Sequence, residues 1–391
     1  MIYLDHNATT PLLPEVAEAM DRAARAGYAN PASQHAAGRA ARRVVEDARE
    51  RIAEILGVNL ATMQPDRLLF TSGGTEANNL ALVGLVGEKE PAGHVLISAI
   101  EHPSVIGPAE RLADQGFDVE HIPVDRDGRI DLARLAEMIR PTTRVVSIML
   151  GNNETGVIQP IAEAASICRA QGVPLHTDAA QAVGKIDVDF TELGVDALSA
   201  AAHKFHGPLG IGLLALKRGV ALRPLLLGGF QQEGLRPGTE APVLVVGLLA
   251  AMEAWARERT VRTAKLAALR DDFELRLRTS CPQLIIHGDH VPRLPQTSNI
   301  AFLRSATEGV NRQAMLMALD QAGIACSTGS ACASGSSRPS HVLEAMGYPA
   351  AELESSLRFS VGTTTTEAEI VEAAERIIAV FRELSKQSRS H

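Results

Sequence analysis

The sequence predicts an α/β fold: a mainly parallel sheet with helices on both faces, followed by a smaller α+β unit. Two observations support this class. Between residues 66 and 216, short apolar runs alternate with amphipathic stretches, as in successive β-α units. After a long helical stretch at about 243–279, the chain changes to short strand-like runs and a final helix.

The alternation assigns the elements in chain order. Strands are predicted at 66–70, 94–100, 144–150, 173–178, 195–201 and 210–216. Helices are predicted at 74–87, 104–116, 131–139, 161–172 and 243–279. The smaller unit contributes the strand-like runs "LIIHG", "TSNIAFL" and "SLRFSVG" and a helix at 367–385.

The domain boundary is predicted near residue 255. Residues 13–255 then form the large domain. Residues 256–391 form the small domain, and residues 1–12 pack back onto it. This division follows from the change in composition after the long helix.

Composition excludes several classes of protein. The 391 residues are 46% hydrophobic and 21% charged, which is ordinary for a globular protein. A net charge of −8 without a long basic run argues against nucleic acid or an anionic membrane as partner. No window has the length of a transmembrane helix, and the N-terminus lacks signal-peptide character, so a cytoplasmic location is expected. The four cysteines show neither C-x-x-C nor zinc-ligand spacing, which predicts no metal site and no disulfide framework.

The segment "FTSGGTEANN" (70–79) runs from a predicted strand through two glycines into a helix. Ligands of parallel sheets bind beyond the carboxyl ends of the strands. A helix N-terminus offers free N–H groups and a partial positive charge, which suit a phosphate. An ordinary helix cap explains the same residues when they are taken alone. It is not a Walker A loop, because no Gly-Lys-Ser/Thr follows.

Two further strand ends carry charged residues. Asp178 ends a strand in "LHTDAAQAVGK". Its role is either that of a capping residue or that of a carboxylate that holds a protonated ring nitrogen. Lys204 lies among small residues in "SAAAHKFHGPLG", where a lysine is a candidate for a Schiff base. A phosphate cradle, this carboxylate and this lysine on successive strand ends together match the needs of pyridoxal 5'-phosphate.

The chain resembles the fold-type I pyridoxal-phosphate enzymes of the class V aminotransferase family, and specifically the cysteine desulfurases of NifS/IscS type. The resemblance implies a large domain with a mainly parallel seven-stranded sheet and a smaller α+β C-terminal domain. The matching segments are "YLDHNATTPLLPEV" (3–16), "NPASQH" (30–35), "FTSGGTEANNLAL" (70–82), "EHPSV" (101–105), "NNETGVIQPI" (152–161), "HTDAAQAVGK" (176–185), "HKFHGPLGIG" (203–212), "RPGT" (236–239), "GSACASGSSRPSHVLEAMG" (329–347) and "SLRFSVGTTTTEAEI" (356–370).

The resemblance implies the residues around the cofactor ring. Lys204 forms the Schiff base, and Asp178 pairs with the pyridinium nitrogen. His102 stacks on the ring and assists proton transfer. Gln181 bonds the ring hydroxyl.

It also implies a phosphate site made by Gly74, Thr75 and His203, with Thr239 reaching a phosphate across a dimer interface. The chain departs from the family at Ala201, where a Ser or Thr usually offers its hydroxyl to the phosphate. The missing hydrogen bond to a charged group is worth about 1.5–3 kcal/mol. Either the cofactor binds more weakly, or another donor such as Ser199 compensates.

For the substrate, the resemblance implies that Asn153 and Arg358 bind the carboxylate of L-cysteine. Cys332, on a mobile loop at about 325–338, attacks the substrate sulfur and carries it as a persulfide, while L-alanine is released. His102 is a base for the thiol or a proton donor to the product. Cys326 is preferred as a buried residue at a strand end, with a disulfide to Cys332 as the alternative.

The resemblance further implies a homodimer that hands sulfur to an acceptor protein such as an iron–sulfur scaffold. Iron–sulfur cluster assembly, tRNA thiolation and nitrogenase maturation are all compatible with the sequence. Two alternatives stay open. One is a selenocysteine lyase, or another C–S lyase or aminotransferase on the same scaffold. The other is a sulfur-carrier-binding protein that has lost catalysis.

Overall fold

The computed structural model describes residues 1–87, 92–305, 307–329 and 339–387. Its strands, in chain order, are β1 Ile2–Tyr3, β2 Arg67–Thr71, β3 His94–Ser98, β4 Asp118–Ile122, β5 Thr143–Ser147, β6 Leu175–Asp178, β7 Ala197–Ala201, β8 Gly212–Leu216, β9 Ile285–Ile286, β10 Thr297–Ala301, β11 Leu303–Ser305, β12 Glu308–Gly309, β13 Ile324–Ala325 and β14 Ser356–Ser360.

The central sheet has seven strands in the order β2-β8-β7-β6-β5-β3-β4. Strand β8 runs antiparallel to both of its neighbours, and the other pairs are parallel. The predicted mainly parallel sheet is confirmed. Its inner strands β3 and β7 are buried along their whole length, which explains why continuous apolar runs predicted them.

The α-helices, in chain order, are α1 Pro14–Arg25, α2 Ala36–Ile55, α3 Gly74–Val86, α4 Pro103–Asp114, α5 Leu132–Met138, α6 Ile161–Ala170, α7 Phe190–Leu193, α8 Pro242–Ser280, α9 Arg312–Gln321, α10 His341–Ala345, α11 Ala350–Leu353 and α12 Glu367–Gln387. Helix α3 packs on the sheet, whereas α8 packs against α1, α2 and α12. No helix in the described ranges combines the length and the hydrophobicity that crossing a lipid bilayer requires.

Helix α8 joins two hydrophobic cores. Its first half, with Val245 and Met252, packs into the core that lies against the seven-stranded sheet. Its second half, with Leu266 and Leu277, packs into a separate core beneath the antiparallel strands β14-β10-β9. The domain boundary near residue 255 stays a prediction, which this arrangement supports.

The first residues of the chain lie against the C-terminal part. Strand β1 pairs in parallel with β13, and Leu4 is fully buried in the second core. Asp5 forms a bridge with Ser360 at the end of β14. Residues 5–8 are thereby held where the second core meets the carboxyl ends of the large sheet.

Gly212 brings β8 close to the loop before α3. A Cβ atom at this position would lie 2.6 Å from the carbonyl carbon of Gly73 and 2.7 Å from the carbonyl oxygen of Ala200. Such distances exclude any larger side chain without movement of the backbone. The glycine therefore lets the edge of β8 support the start of α3.

Candidate active site

One cavity of about 230 Å³ opens at the carboxyl ends of the parallel strands. It is bounded by the segments that follow β2, β3, β5, β6 and β7, as expected for an α/β sheet. Its lining residues are Gly74, Thr75, Asn78, His102, Ser104, Met149, Gly151, Asn153, Asp178, Ala180, Gln181, Ala201, His203 and Lys204. Nine residues predicted from the sequence are in this set.

Lys204 stands at the end of a short 3-10 turn that directly follows β7. Its Nζ donates hydrogen bonds to the carbonyl oxygens of Asn7 (2.6 Å) and Ala8 (2.9 Å). Burial and the charge of Arg358 lower the pKa of Lys204 to about 8, against the opposing effect of Asp178. The amine is therefore far more available as a nucleophile near neutral pH than an ordinary lysine.

Asp178 ends β6 with a buried carboxylate. Its Oδ1 accepts a hydrogen bond from the backbone N–H of Ala180 (2.9 Å), and its Oδ2 accepts one from Nδ2 of Asn78 (2.6 Å). No lysine or arginine forms an ion pair with it within the described ranges. A buried carboxylate held in this way fits a cationic ligand group, such as a protonated ring nitrogen.

His102 is the N-cap residue of α4 and lies over the cavity. Its Nδ1 accepts the backbone N–H of Ser104 at 3.1 Å and lies 2.7 Å from the Ser104 hydroxyl. Burial lowers the pKa of His102, although Asp178 acts in the opposite direction. The imidazole is therefore neutral at physiological pH.

The start of α3 has the features of the expected anion site. No side chain caps the helix at Gly73, so its first N–H groups are free to bind a ligand, with the Thr75 side chain beside them. Ala201 lies next to this helix start, because a Cβ built on Gly74 would be 3.3 Å from its methyl group. His203 also lines the cavity. These groups suit a phosphate dianion.

Ser199 does not face the cavity. The Ser199 hydroxyl is buried and lies 2.9 Å from Nε2 of His176. This contact with His176 gives no support to the expectation that Ser199 replaces the hydroxyl missing at position 201.

Gln181 is held by a lysine that sequence reasoning missed. Nζ of Lys185 donates to Oε1 of Gln181 at 2.9 Å, and Nε2 of Gln181 donates to the carbonyl oxygen of Asn7, also at 2.9 Å. Lys185 is buried, and its burial together with the charge of Lys204 lowers its pKa well below the ordinary value. The only sequence signal for this contact is the i, i+4 spacing of the two residues.

Arg358 lies in β14 beside the cavity rather than in its wall. It donates from one guanidinium nitrogen to Oδ1 of Asp5 (2.7 Å) and from another to the carbonyl oxygen of Asn153 (3.0 Å). Its Nε is buried and has no partner within the described ranges. Asn153 is thus in the cavity wall, and Arg358 contacts the cavity only through Asn153. Arg358 is already ion-paired with Asp5, a residue that the sequence analysis did not single out.

Thr239 and Cys326 do not line the cavity. Thr239 is exposed and does not line the cavity of its own chain. Cys332 lies outside the described residues, as does most of its predicted loop. Cys326 is partly buried at the end of β13, and burial raises the pKa of its thiol to about 12. The thiolate form of Cys326 is therefore scarce at neutral pH.

Comparisons with known proteins agree with this geometry. The family model described as Aminotransferase class-V matches residues 2–372. The chain belongs to the class-V aminotransferase family. This family depends on pyridoxal 5'-phosphate, and the cavity residues fit that cofactor: free helix N–H groups for a phosphate, a buried carboxylate for a ring nitrogen and a lysine for an aldehyde.

Individual members of the family are similar over nearly the whole chain. A protein named cysteine desulfurase IscS from Dictyoglomus turgidum is 39% identical over 388 residues, which cover 98% of this chain and 96% of the relative. A solved structure named NifS-like protein has a TM-score of 0.88 at 32% identity and covers 98% of this chain and 99% of its own. A structure titled SspA in complex with cysteine has a TM-score of 0.79 at 33% identity and covers 94% of this chain and 100% of its own. The predicted resemblance is confirmed.

Proposed function

We propose that the protein is a cysteine desulfurase that converts L-cysteine to L-alanine and takes the sulfur onto Cys332. The observation that carries this proposal is the shared cavity, in which a lysine amine of lowered pKa, a buried carboxylate and a neutral imidazole meet. The cysteine desulfurase names of the relatives and the cysteine complex of one neighbour support the same substrate.

Pyridoxal phosphate, when bound, stabilises negative charge at the substrate Cα. The chain's residues hold it in place. The start of α3 and His203 bind the phosphate, Asp178 pairs with the ring nitrogen, and Gln181 donates to the ring hydroxyl. Lys204 would hold the cofactor covalently through its amine.

Lys204 also moves the proton at Cα. With the cofactor and substrate bound, the free Nζ of Lys204 would be the base beside the substrate. The buried environment and the positive charge of Arg358 favour the unprotonated amine, which is the form that accepts a proton. Nearby, Asn153 and Arg358 bind the substrate carboxylate. To do so, Arg358 shares its guanidinium between the substrate and Asp5.

The sulfur step belongs to Cys332. Its thiolate attacks the substrate sulfur, so that an S–S bond forms while the C–S bond breaks and its electron pair stays with the three-carbon fragment. Protonation of that fragment yields alanine. The enzyme is left with a persulfide that an acceptor thiol removes, which makes a sulfur-acceptor protein such as an iron–sulfur scaffold the expected partner.

A homodimer completes the site in this proposal. Thr239 does not reach the cavity of its own chain, and the segment before it exposes two large apolar side chains, Leu227 (90%) and Phe230 (84%). A second copy of the chain that covers this segment brings Thr239 to a phosphate across the interface. We further propose that the protein acts in the cytoplasm.

The deciding experiment combines spectra and product assays. Wild-type protein with added pyridoxal phosphate should become yellow and form alanine from cysteine. Cys332→Ala should keep the colour and lose alanine and sulfide formation, while Cys281→Ala, a buried cysteine in the second core, serves as the matched control. Sulfide release that persists in Cys332→Ala favours a C–S lyase or selenocysteine lyase. A colourless protein favours the non-catalytic binding protein.

A further inference from the structure

Two polar side chains, Asn78 and Ser104, link Asp178 to His102 along one wall of the cavity. Nδ2 of Asn78 lies 2.6 Å from Oδ2 of Asp178 and 2.8 Å from Oγ of Ser104. Oγ of Ser104 lies 2.7 Å from Nδ1 of His102. All four residues line the cavity, and the contacts between Asn78, Asp178 and Ser104 are buried.

The direction of each hydrogen bond follows from the donor groups. An ionised Asp178 only accepts, so Asn78 turns its NH₂ group toward it, and the second hydrogen of that group points to Oγ of Ser104. Ser104 accepts there and has one proton of its own to donate, for which Nδ1 of His102 is the nearest acceptor. The backbone N–H of Ser104 also points to Nδ1, at 3.1 Å. Nδ1 of His102 thus receives two hydrogen bonds.

We propose that Asn78 and Ser104 are positioning residues that fix His102 in the tautomer with its proton on Nε2. His102 then presents a hydrogen-bond donor to the cavity, and it is not the base that deprotonates the attacking thiol. Nε2 makes no hydrogen bond to any residue that the structure describes, so it is free to meet a ligand. The inference rests on the proposed function only in taking this cavity as the active site.

Protonation of this tautomer places the second proton on Nδ1, where two donors already point. Before the imidazolium can form, the hydrogen bond from the backbone N–H of Ser104 must break and the Ser104 hydroxyl must turn to accept. Of the charged groups that face the ring, Asp178 favours the imidazolium, whereas Lys204, His341 and Arg358 oppose it. Burial opposes it as well, so His102 stays neutral and keeps Nε2–H.

The tautomer is measurable without turnover. We suggest labelling the histidines of the complete protein with ¹⁵N and recording two-bond ¹H–¹⁵N spectra without and with added pyridoxal phosphate, with His102→Gln assigning the resonance. The expected pattern between pH 6 and 8 is an unprotonated Nδ1 and a protonated Nε2. A proton on Nδ1 overturns the proposal. The spectrum of the cofactor-free protein does not depend on the proposed reaction, so the two can fail separately.

Ser104 offers a matched pair of variants. Ser104→Ala removes one of the two donors to Nδ1 and should raise the titration midpoint of His102 by about half to one pH unit. Ser104→Thr keeps the hydroxyl and should retain the wild-type midpoint. Equal midpoints in wild type and Ser104→Ala overturn the role of Ser104. Adding Asn78→Leu to Ser104→Ala should cause no further change, and a further shift overturns the role of Asn78 through Ser104.

Discussion

Nζ of Lys185 lies 2.9 Å from Oε1 of Gln181, and no carboxylate forms an ion pair with this amine in the part of the chain that the structure describes. The amine is buried beside the like charge of Lys204. Burying an amine without an ion pair costs free energy of folding. We therefore expect the contact between Lys185 and Gln181 to serve the function of the site. The lysine fixes the orientation of the Gln181 amide, whose Nε2 donates to the carbonyl oxygen of Asn7. In the proposed function, the second hydrogen of Nε2 is the donor to the ring hydroxyl of the cofactor.

Lys185→Met should weaken cofactor binding about two- to tenfold, because the Gln181 amide loses the hydrogen bond that orients it. Equilibrium titration of the cofactor-free protein measures the change. The melting temperature should not fall, since the variant removes a buried amine without an ion pair. Lys217→Met, which alters a partly exposed lysine that pairs with Asp196, is the control. If Lys185→Met weakens binding equally in a Gln181→Leu background, Lys185 does not act through Gln181.

Ala201→Ser should tighten cofactor retention about tenfold or more. The new hydroxyl lies beside the start of α3 and adds a hydrogen bond to a charged phosphate. Retention is measured as the cofactor left after dialysis. Ser199→Ala should change retention little, because the Ser199 hydroxyl contacts His176 instead of the cavity. Unchanged or weaker retention in Ala201→Ser contradicts this account.

The pH dependence of cofactor capture should follow Lys204. Its pKa is lowered from 10.5 to about 8. The fraction of unprotonated amine therefore increases as the pH rises through 8 and is small below pH 7. The initial rate of covalent attachment, trapped with borohydride, should therefore rise from pH 6 to 9 with a midpoint near 8. Lys204→Arg should show no attachment at any pH. A midpoint near 10 shows that burial does not set the reactivity of this amine.

Gly212→Ala should lower both stability and cofactor affinity. The added Cβ meets backbone atoms of Gly73 and Ala200, and overpacking of this kind costs about 1–3 kcal/mol. Denaturant unfolding and cofactor titration measure the two effects. Gly107→Ala in α4 is the matched control, because a Cβ there has no neighbour within 4 Å and alanine favours a helix. Equal stability of the two variants would mean that β8 can move away from the α3 loop.

The fold was predictable where strands are buried on both faces. Strands β3 and β7 are continuous apolar runs, and sequence periodicity placed both. Strand β4 was missed because it stands at the edge of the sheet, where "DVEHI" keeps polar residues exposed or half-buried. Without an apolar run, β4 could not be separated from a loop, whereas β2 at the other edge is mostly buried and was predicted.

The candidate site was predictable for residues whose own positions at strand ends indicate a role. Asp178 ends β6 and Lys204 follows β7, and their positions alone predicted that they share an edge of the sheet. Asn78 and Ser104 were not predicted, because each acts through a partner that only the fold brings near. Asn78 and Asp178, for example, are 100 positions apart in the sequence. Asp5 was missed for the same reason, since its partner Arg358 is 353 positions away.

Asn7 has a consequence for the order of events during synthesis. Its carbonyl oxygen accepts hydrogen bonds from both Lys204 and Gln181, yet its backbone N–H is held by the Ser360 hydroxyl and β1 pairs with β13. At about 5–20 residues per second, a ribosome needs roughly eight to thirty seconds to extend the chain from Lys204 to Ser360. During this interval, the backbone carbonyl groups that accept hydrogen bonds from Lys204 are not yet held in place by Ser360. The surroundings that lower the pKa of Lys204, which include Arg358 in β14, are therefore assembled only after that strand has been synthesised.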